Sequence, residues 1–277
     1  MEFSGPARPG TGRPAADGEL RLFVFPHAGG SSLMCHAWPA LFPASWQVRA
    51  VDAPGHGLLL GSAPLTDGPS LIGHFLDTLG PELDASGVPF AFFGHSMGAL
   101  VAYELTRRLQ ARGAALPVWL GVSACGPHRH DDTGAGRGAR PELSLLSLSD
   151  DELRRRLAAL GATPPQVLAD PALWEVFGPT VRADMHLVAT WRPAPPAAPL
   201  PVPLSAFAGA QDHAAPPQRL AAWAERTEHF VGLRTFPGGH FYFQDDLQAL
   251  AAAVTADAGA ALRGPGPVGA AGEAGAA

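Results

Sequence analysis

The sequence of 277 residues contains no lysine, and all 19 of its basic residues are arginine. The net charge is −6 and the arginines are scattered, so composition gives no general electrostatic support for a nucleic-acid partner. The densest run, Arg154 to Arg156, follows three acidic residues. The preferred interpretation of this mixture of charges is a solvated helix face, and the alternative is a docking patch for an acidic partner. With 33 Gly and 29 Pro, the missing lysine indicates the coding bias of a GC-rich genome.

Cysteine is scarce as well, since Cys35 and Cys125 are the only two. Two cysteines make no disulfide framework, and their spacing suits no metal site. The first residues lack the apolar core of a signal peptide, and no apolar run is long enough to cross a membrane uninterrupted. We therefore expect a cytoplasmic protein that is a monomer by default and needs neither a metal nor another cofactor.

What the sequence does contain is a regular alternation of elements between two loose ends. Residues 1–19 and 263–277 are rich in Gly, Ala and Pro, which predicts disordered tails around one domain over residues 20–262. Short apolar runs predict strands at residues 20–25, 46–51, 90–93, 117–123, 202–208 and 232–236. Helical patterns occur at residues 70–83, 97–112, 217–225 and 244–261. This order predicts an α/β fold with a mostly parallel central sheet flanked by helices.

One stretch, residues 126–199, interrupts the alternation. It opens with a polar, Gly-rich loop, continues with helical patterns at residues 149–160 and 171–191, and closes with a Pro-rich connector. An insertion of this kind between two sheet strands predicts a helical lid over an active site.

The pattern G-x-S-x-G occurs from Gly94 to Gly98, around Ser96, between a predicted strand and a predicted helix. It directly follows the apolar run 90–93 and directly precedes a helical pattern. A tight turn from strand to helix presents a serine hydroxyl beside a helix N-terminus, where developing negative charge is favoured. Ser96 is therefore the predicted nucleophile of an α/β-hydrolase fold.

A serine nucleophile needs a base and an acid, which follow it in this fold in the order Ser, acid, His. His240 comes just after the last predicted strand and is the predicted base, ahead of His213 and His229. Asp212 follows the preceding strand and is the predicted acid. The remaining acidic candidates are Asp184, expected to serve packing or a lid salt bridge, and Asp245 and Asp246, expected in the first turn of a helix.

The oxyanion hole of such a site takes two backbone amides. One is expected from Met97, directly after the nucleophile, and the other from Ala28, in the Gly-rich loop after the first strand. His27 in the same loop is expected to brace it by hydrogen bonds to the backbone rather than to act as a base.

Four motifs in this order resemble the type II thioesterases, which accompany modular polyketide synthases and non-ribosomal peptide synthetases. The resemblance covers about residues 20 to 255. Its motifs are Phe25-Pro26-His27-Ala28-Gly29-Gly30, Gly94-His95-Ser96-Met97-Gly98-Ala99, Arg182-Ala183-Asp184 and Phe236-Pro237-Gly238-Gly239-His240-Phe241.

The resemblance implies hydrolysis of acyl groups from the phosphopantetheine arm of an acyl or peptidyl carrier protein, typically to clear stalled chains. It implies the triad Ser96, Asp212 and His240, with Met97 and Ala28 as oxyanion donors and no cofactor. The chain departs from the family at two places: an apolar segment, residues 58–60, replaces a charged loop after Pro54-Gly55, and residues 124–128 lack the usual arginines. A dedicated product-releasing thioesterase, a small-molecule esterase and a non-catalytic binding module are the alternative interpretations.

Overall fold

The computed structural model describes residues 18–85, 87–127, 148–161, 163, 165–192 and 198–264. Six parallel strands of these residues form one sheet in the order β2-β1-β3-β4-β5-β6. The strands are β1 (Leu20–Phe25), β2 (Trp46–Ala50), β3 (Phe90–His95), β4 (Leu120–Ser123), β5 (Leu204–Gly209) and β6 (Phe230–Phe236). The predicted α/β-hydrolase fold with a parallel sheet is confirmed.

Helices connect the strands and cover both faces of the sheet. In the described residues they are α1 (Gly68–Ala85), α2 (Met97–Ala111), α3 (Asp150–Leu160), α4 (Pro165–Ala169), α5 (Pro171–Thr190), α6 (Pro217–Leu220) and α7 (Leu247–Leu262). Alternate residues of β1 enter different cores, because successive side chains of a strand point to opposite faces. Phe23 and Phe25 pack with α1 and α2, whereas Leu22 and Val24 pack with α7.

Two helices differ from their predicted extents by three residues or more at one end. The pattern at residues 217–225 forms only four residues of α-helix before it tightens into a 3-10 helix, Ala221–Arg226. Trp223 of this segment is fully buried and donates its indole N–H to the carbonyl of Cys125. The last helix begins at Leu247 because Asp246 caps it, accepting the amide of Ala249. Asp246 is therefore an N-cap residue and not a first-turn acid.

The insertion between β4 and β5 contributes α3, α4 and α5. A separate cluster of Leu153, Leu157, Trp174 and Val181 packs these helices together. Val181 of α5 also lies against the loop after β1, since a Cβ placed on Gly29 would be 2.9 Å from its Cγ2. Residues 128–147 of the predicted lid lie outside the described residues, as do most of both predicted tails, residues 1–17 and 265–277.

The strand register places the predicted site residues at one edge of the sheet. Phe25 pairs with Gly94, and Gly209 pairs with Phe236, so the carboxyl ends of these strands are level. The segments that follow β1, β3, β5 and β6 therefore meet at this edge. In open α/β sheets ligands bind at this carboxyl edge.

Candidate active site

Ser96 occupies a tight turn between β3 and α2. Its φ is +54°, in a region that L-residues rarely adopt and that is found at strained functional turns. The two flanking glycines are required by close backbone contacts. A Cβ on Gly94 would lie 2.0 Å from the carbonyl oxygen of Gly98, and a Cβ on Gly98 would lie 2.0 Å from that of Phe25. The turn thereby packs directly onto the loop after β1.

Ser96, His240 and Asp212 form a continuous chain of hydrogen bonds. The Nε2 of His240 lies 3.0 Å from the Oγ of Ser96, and its Nδ1 lies 2.7 Å from Oδ2 of Asp212. In this arrangement Nδ1–H donates to the carboxylate and Nε2 can accept the serine proton. The structure brings together all three residues of the predicted triad.

The carboxylate of Asp212 is buried and divides its two oxygens between the base and the backbone. Its Oδ1 accepts the amides of Ala214 and Ala215, at 2.9 and 3.0 Å. Burial raises the pKa of Asp212, but the hydrogen bonds from His240 and from these amides outweigh it and lower the pKa below its ordinary value. Asp212 therefore stays ionised beside the imidazole.

The loop that carries His240 is fixed against the loop that carries Asp212. Gln211 clamps Gly238 from both sides, since its side-chain oxygen accepts the Gly238 amide at 2.5 Å and its own amide donates to the Gly238 carbonyl at 2.9 Å. A Cβ on Gly209 would lie 2.1 Å from the carbonyl of Gly239. This contact lets the two loops cross closely enough for acid and base to meet.

The two predicted oxyanion donors lie on segments in direct contact. The amides of Ala28 and Met97 donate no hydrogen bond to any described residue. Ala28 lies in the loop after β1 and Met97 is the first residue of α2, both at the carboxyl edge of the sheet. Asp52 secures the end of the Ala28 loop, because its carboxylate accepts both the amide and the hydroxyl of Ser32, at 2.6 and 2.7 Å.

Contrary to expectation, the ring of His27 makes no hydrogen bond to its loop in the part of the chain that the structure describes. Its ring packs edge-on against Phe241, with centroids 4.8 Å apart, and against His95 at 6.0 Å. The loop hydrogen bond comes from its backbone instead, since the carbonyl of His27 accepts the amide of Gly30. Burial, together with the nearby His240 and His56, lowers the pKa of His27 to about 4, so its ring is neutral at pH 7.

Directly before Ser96 in the chain, His95 lies in a buried position. Its Nδ1 is 2.8 Å from the hydroxyl of Ser123, which is 2.7 Å from the hydroxyl of Tyr242. Burial lowers the pKa of His95 well below its ordinary value, and the neighbouring His240 and His27 lower it further. A second neutral imidazole thus packs against the base, with ring centroids of His95 and His240 5.3 Å apart.

Contacts that the sequence did not predict connect the Ala28 loop to the insertion. Asp184 of α5 accepts hydrogen bonds from the amide of Gly29 at 2.6 Å and from Nε2 of His56 at 2.7 Å. The expectation of a lid salt bridge at Asp184 agrees with this pair, but its partner was not predicted. The only signal in the sequence was that the chain departs from the family pattern after Pro54-Gly55, where His56 lies.

The apolar segment after His56, residues 58–60, where the chain differs from the type II thioesterases, is exposed. Leu58 is 87% exposed, and Leu59 and Leu60 are partly exposed.

Among the described residues, no three His, Cys, Asp or Glu side chains come together as they would around a metal ion. None of the helices in the described ranges combines the length and apolar composition needed to span a membrane.

Comparison with known proteins gives consistent similarities across most of the chain. The family model of the thioesterase domain matches residues 20–257. The gramicidin S biosynthesis protein GrsT of Aneurinibacillus migulanus is 31% identical over 82% of this chain and 84% of its own length.

Two solved structures extend this similarity to the fold. RedJ, the thioesterase of the prodiginine pathway in Streptomyces coelicolor, has 30% identity and a TM-score of 0.74, covering 93% of this chain and 91% of that one. BorB, the type II thioesterase of the borrelidin biosynthetic cluster, has 33% identity and a TM-score of 0.73, covering 89% of this chain and 95% of that one.

Proposed function

This chain belongs to the thioesterase domain family, and on that premise we propose that it releases acyl groups from the phosphopantetheine arm of carrier proteins. The observation that carries the proposal is the hydrogen-bonded chain Ser96–His240–Asp212 beside two amides that have no acceptor among the described residues. The named relatives come from antibiotic pathways, which supports a place beside a polyketide or non-ribosomal peptide assembly line.

In the first half of the reaction, Ser96 attacks the thioester carbonyl. Its Oγ forms a bond to the carbonyl carbon while Nε2 of His240 takes the hydroxyl proton. Asp212 accepts the Nδ1–H of the resulting imidazolium and stabilises its charge. The amides of Met97 and Ala28 hold the tetrahedral oxyanion. When the carbon–sulfur bond breaks, the sulfur leaves readily, because the pKa of a thiol is about 8.5, and it takes the proton of His240.

In the second half, water replaces the thiol. His240 removes a proton from a water molecule, whose oxygen attacks the acyl-serine carbonyl in the same oxyanion hole. The serine oxygen then leaves with the proton from His240, and the free acid departs. The two halves use the same three side chains and consume one water for each acyl group.

The partner in this proposal is an acyl or peptidyl carrier protein, and the chain acts as a cytoplasmic monomer. Where the type II thioesterases usually have a charged loop, residues 58–60 of this chain are exposed leucines. In this proposal the contact with a partner at this place is therefore apolar. A dedicated product-releasing enzyme would share the site and differ in the range of acyl chains that it accepts.

The decisive experiment offers the purified chain an acyl-carrier protein and follows the intact mass of the carrier. Wild type should release the acyl group, and Ser96→Ala should leave the carrier loaded, with the same melting temperature as wild type. Cleavage of simple esters with no release from the carrier would instead favour the small-molecule esterase. A failure of active-site serine reagents to label Ser96 would favour a binding module.

A panel of carriers loaded with chains of different length and branching separates the two thioesterase roles. A flat profile of kcat/KM is the result expected for clearing stalled chains. A single preferred chain would overturn that role in favour of dedicated product release.

A further inference from the structure

The insertion helix α5 reaches into the oxyanion loop through one carboxylate. Asp184 is buried on α5, and its Oδ2 accepts the amide of Gly29 at 2.6 Å. Gly29 directly follows Ala28, so this hydrogen bond fixes the peptide plane that joins the two residues. The orientation of Ala28, the predicted oxyanion donor, therefore depends on the position of Asp184.

The same helix also fixes the loop by shape. Gly29 has a φ of +74° and lies so close to Val181 that a Cβ would be 2.9 Å from its Cγ2. Val181 and Asp184 are three residues apart and therefore project from one face of α5. The loop that carries Ala28 is thus set by α5 both in distance and in orientation.

His56 completes this contact from a third segment, the loop after β2. Its Nε2 lies 2.7 Å from Oδ2 of Asp184, and its Nδ1 lies 3.1 Å from the carbonyl oxygen of Pro54. A carbonyl oxygen and a carboxylate oxygen are both acceptors only. A neutral imidazole has a single N–H and can satisfy one of them, whereas an imidazolium satisfies both.

From this geometry we infer that His56 is a protonated positioning residue, whose charge holds Asp184 on the oxyanion loop and makes hydrolysis depend on its proton. The inference rests on the proposed thioester hydrolysis only for its effect on rate. The burial of the pair keeps the contact from being screened by solvent, since both side chains are at most 4% exposed.

The titratable groups around His56 come from three elements. Asp184 faces it from α5, Asp52 lies against Gly57 at the end of β2, and His27 faces it from the oxyanion loop. Burial lowers the pKa of His56, but the hydrogen bond and charge of Asp184 and the backbone acceptors outweigh it and raise the pKa above its ordinary value. The raised pKa extends the protonated form of His56 towards higher pH, and the proton is lost on the alkaline side.

The first test is the pH dependence of kcat/KM on a small acyl thioester, corrected for spontaneous hydrolysis. The rate of wild type should fall at alkaline pH as His56 loses its proton. His56→Arg keeps a permanent charge and two donors, so its alkaline fall should disappear. His56→Gln should be slower by on the order of tenfold to a hundredfold at every pH, with no alkaline fall.

A matched control breaks another contact of the same helix without touching a charge. The hydroxyl of Thr180 donates to the carbonyl of Gly55 at 3.1 Å, so Thr180→Val loosens α5 from this loop. Its alkaline fall should occur at the same pH as in wild type. An alkaline fall that persists in His56→Arg, or that moves equally in Thr180→Val, would overturn the positioning role.

The second test reads the proton directly and does not depend on activity. In the full chain labelled with 15N-histidine, the ring nitrogens of His56, assigned by their loss in His56→Gln, should both carry protons at pH 7. A neutral ring at pH 7 would refute the inference even in a fully active enzyme. If no thioester is hydrolysed but both nitrogens are protonated, the proposed function fails and the charge of His56 stands.

Discussion

At the scale of single residues, Asp212 serves two partners with two oxygens. Asp212→Asn retains an acceptor for the amides of Ala214 and Ala215 but presents an N–H₂ group to Nδ1 of His240. The imidazole then adopts the wrong tautomer and cannot accept the proton of Ser96. We expect kcat to fall by on the order of 10⁴, measured on an acyl thioester.

Asp77→Asn is the matched control for this change. Asp77 is exposed on α1, away from the site, and the variant should retain the wild-type kcat. A kcat for Asp212→Asn within tenfold of wild type would contradict the assignment of Asp212 as the acid of the triad.

The lowered pKa of His27 predicts how the free energy of unfolding changes at acid pH. Because its pKa is about 4 in the folded chain and 6.5 ordinarily, the unfolded chain binds more protons between these values. The contribution of the neutral ring is complete above pH 6.5 and is lost as the pH falls to about 4. This difference in pKa corresponds to about 3 kcal/mol in the free energy of unfolding. In His27→Gln, the free energy of unfolding should therefore decrease by about 3 kcal/mol less on acidification than in wild type.

Urea unfolding at several pH values measures this decrease. His213→Gln, which changes an exposed histidine at the same edge of the sheet, should show the same decrease as wild type. An unchanged decrease in His27→Gln would show that the ring of His27 is not held neutral by its surroundings.

At the scale of elements, α2 and the loop after β1 are in backbone contact. Gly98→Ala would place a Cβ 2.0 Å from the carbonyl of Phe25, so the loop carrying Ala28 must move away from Met97. Misalignment of one oxyanion donor typically costs on the order of 10²–10³ in kcat. We expect a loss of this size in steady-state kinetics.

Gly73→Ala tests the opposite case in α1, because nothing lies within 4 Å of the added Cβ. Alanine is favoured over glycine inside a helix, so this variant should be more stable by about 0.5–1 kcal/mol and fully active. Equal losses of activity in Gly73→Ala and Gly98→Ala would show that the backbone contact at Gly98 has no special effect.

At the scale of the whole molecule, sequence patterns are sufficient for the sheet and for the order of the site. A strand buried on both faces, such as β3, begins with an uninterrupted apolar run, Phe90 to Phe93, and Gly94 marks where that run ends. Since parallel strands end at one edge, Ser96, Asp212 and His240 could be placed together without coordinates.

The contacts between distant loops could not be predicted in this way. His56 and Asp184 are 128 residues apart, and neither lies in a local pattern that specifies its partner. The ring of His27 likewise packs against aromatic neighbours and not against backbone acceptors, because Phe241 and His95 fill the space beside it. Such choices depend on the packing of several segments at once.

The absence of lysine has a consequence for the whole molecule that can be measured. No side chain of the sequence carries an amine, so peptide mass mapping after treatment with an amine-reactive succinimidyl ester should show no stable adduct on an internal peptide. Thioesterase activity should be unchanged. An internal adduct that is missing from Ser96→Ala would report acylation of Ser96, and one that remains would contradict the prediction.

The strand order also determines when the chain gains activity during synthesis. The proposed nucleophile and both proposed oxyanion donors belong to β1, β3 and the segments that follow them, which leave the ribosome early. The proposed base follows β6, the edge strand, which can pair only after β5 has joined the sheet. A growing chain therefore carries a serine without a base, and cannot hydrolyse the thioesters around it until its final strand is in place.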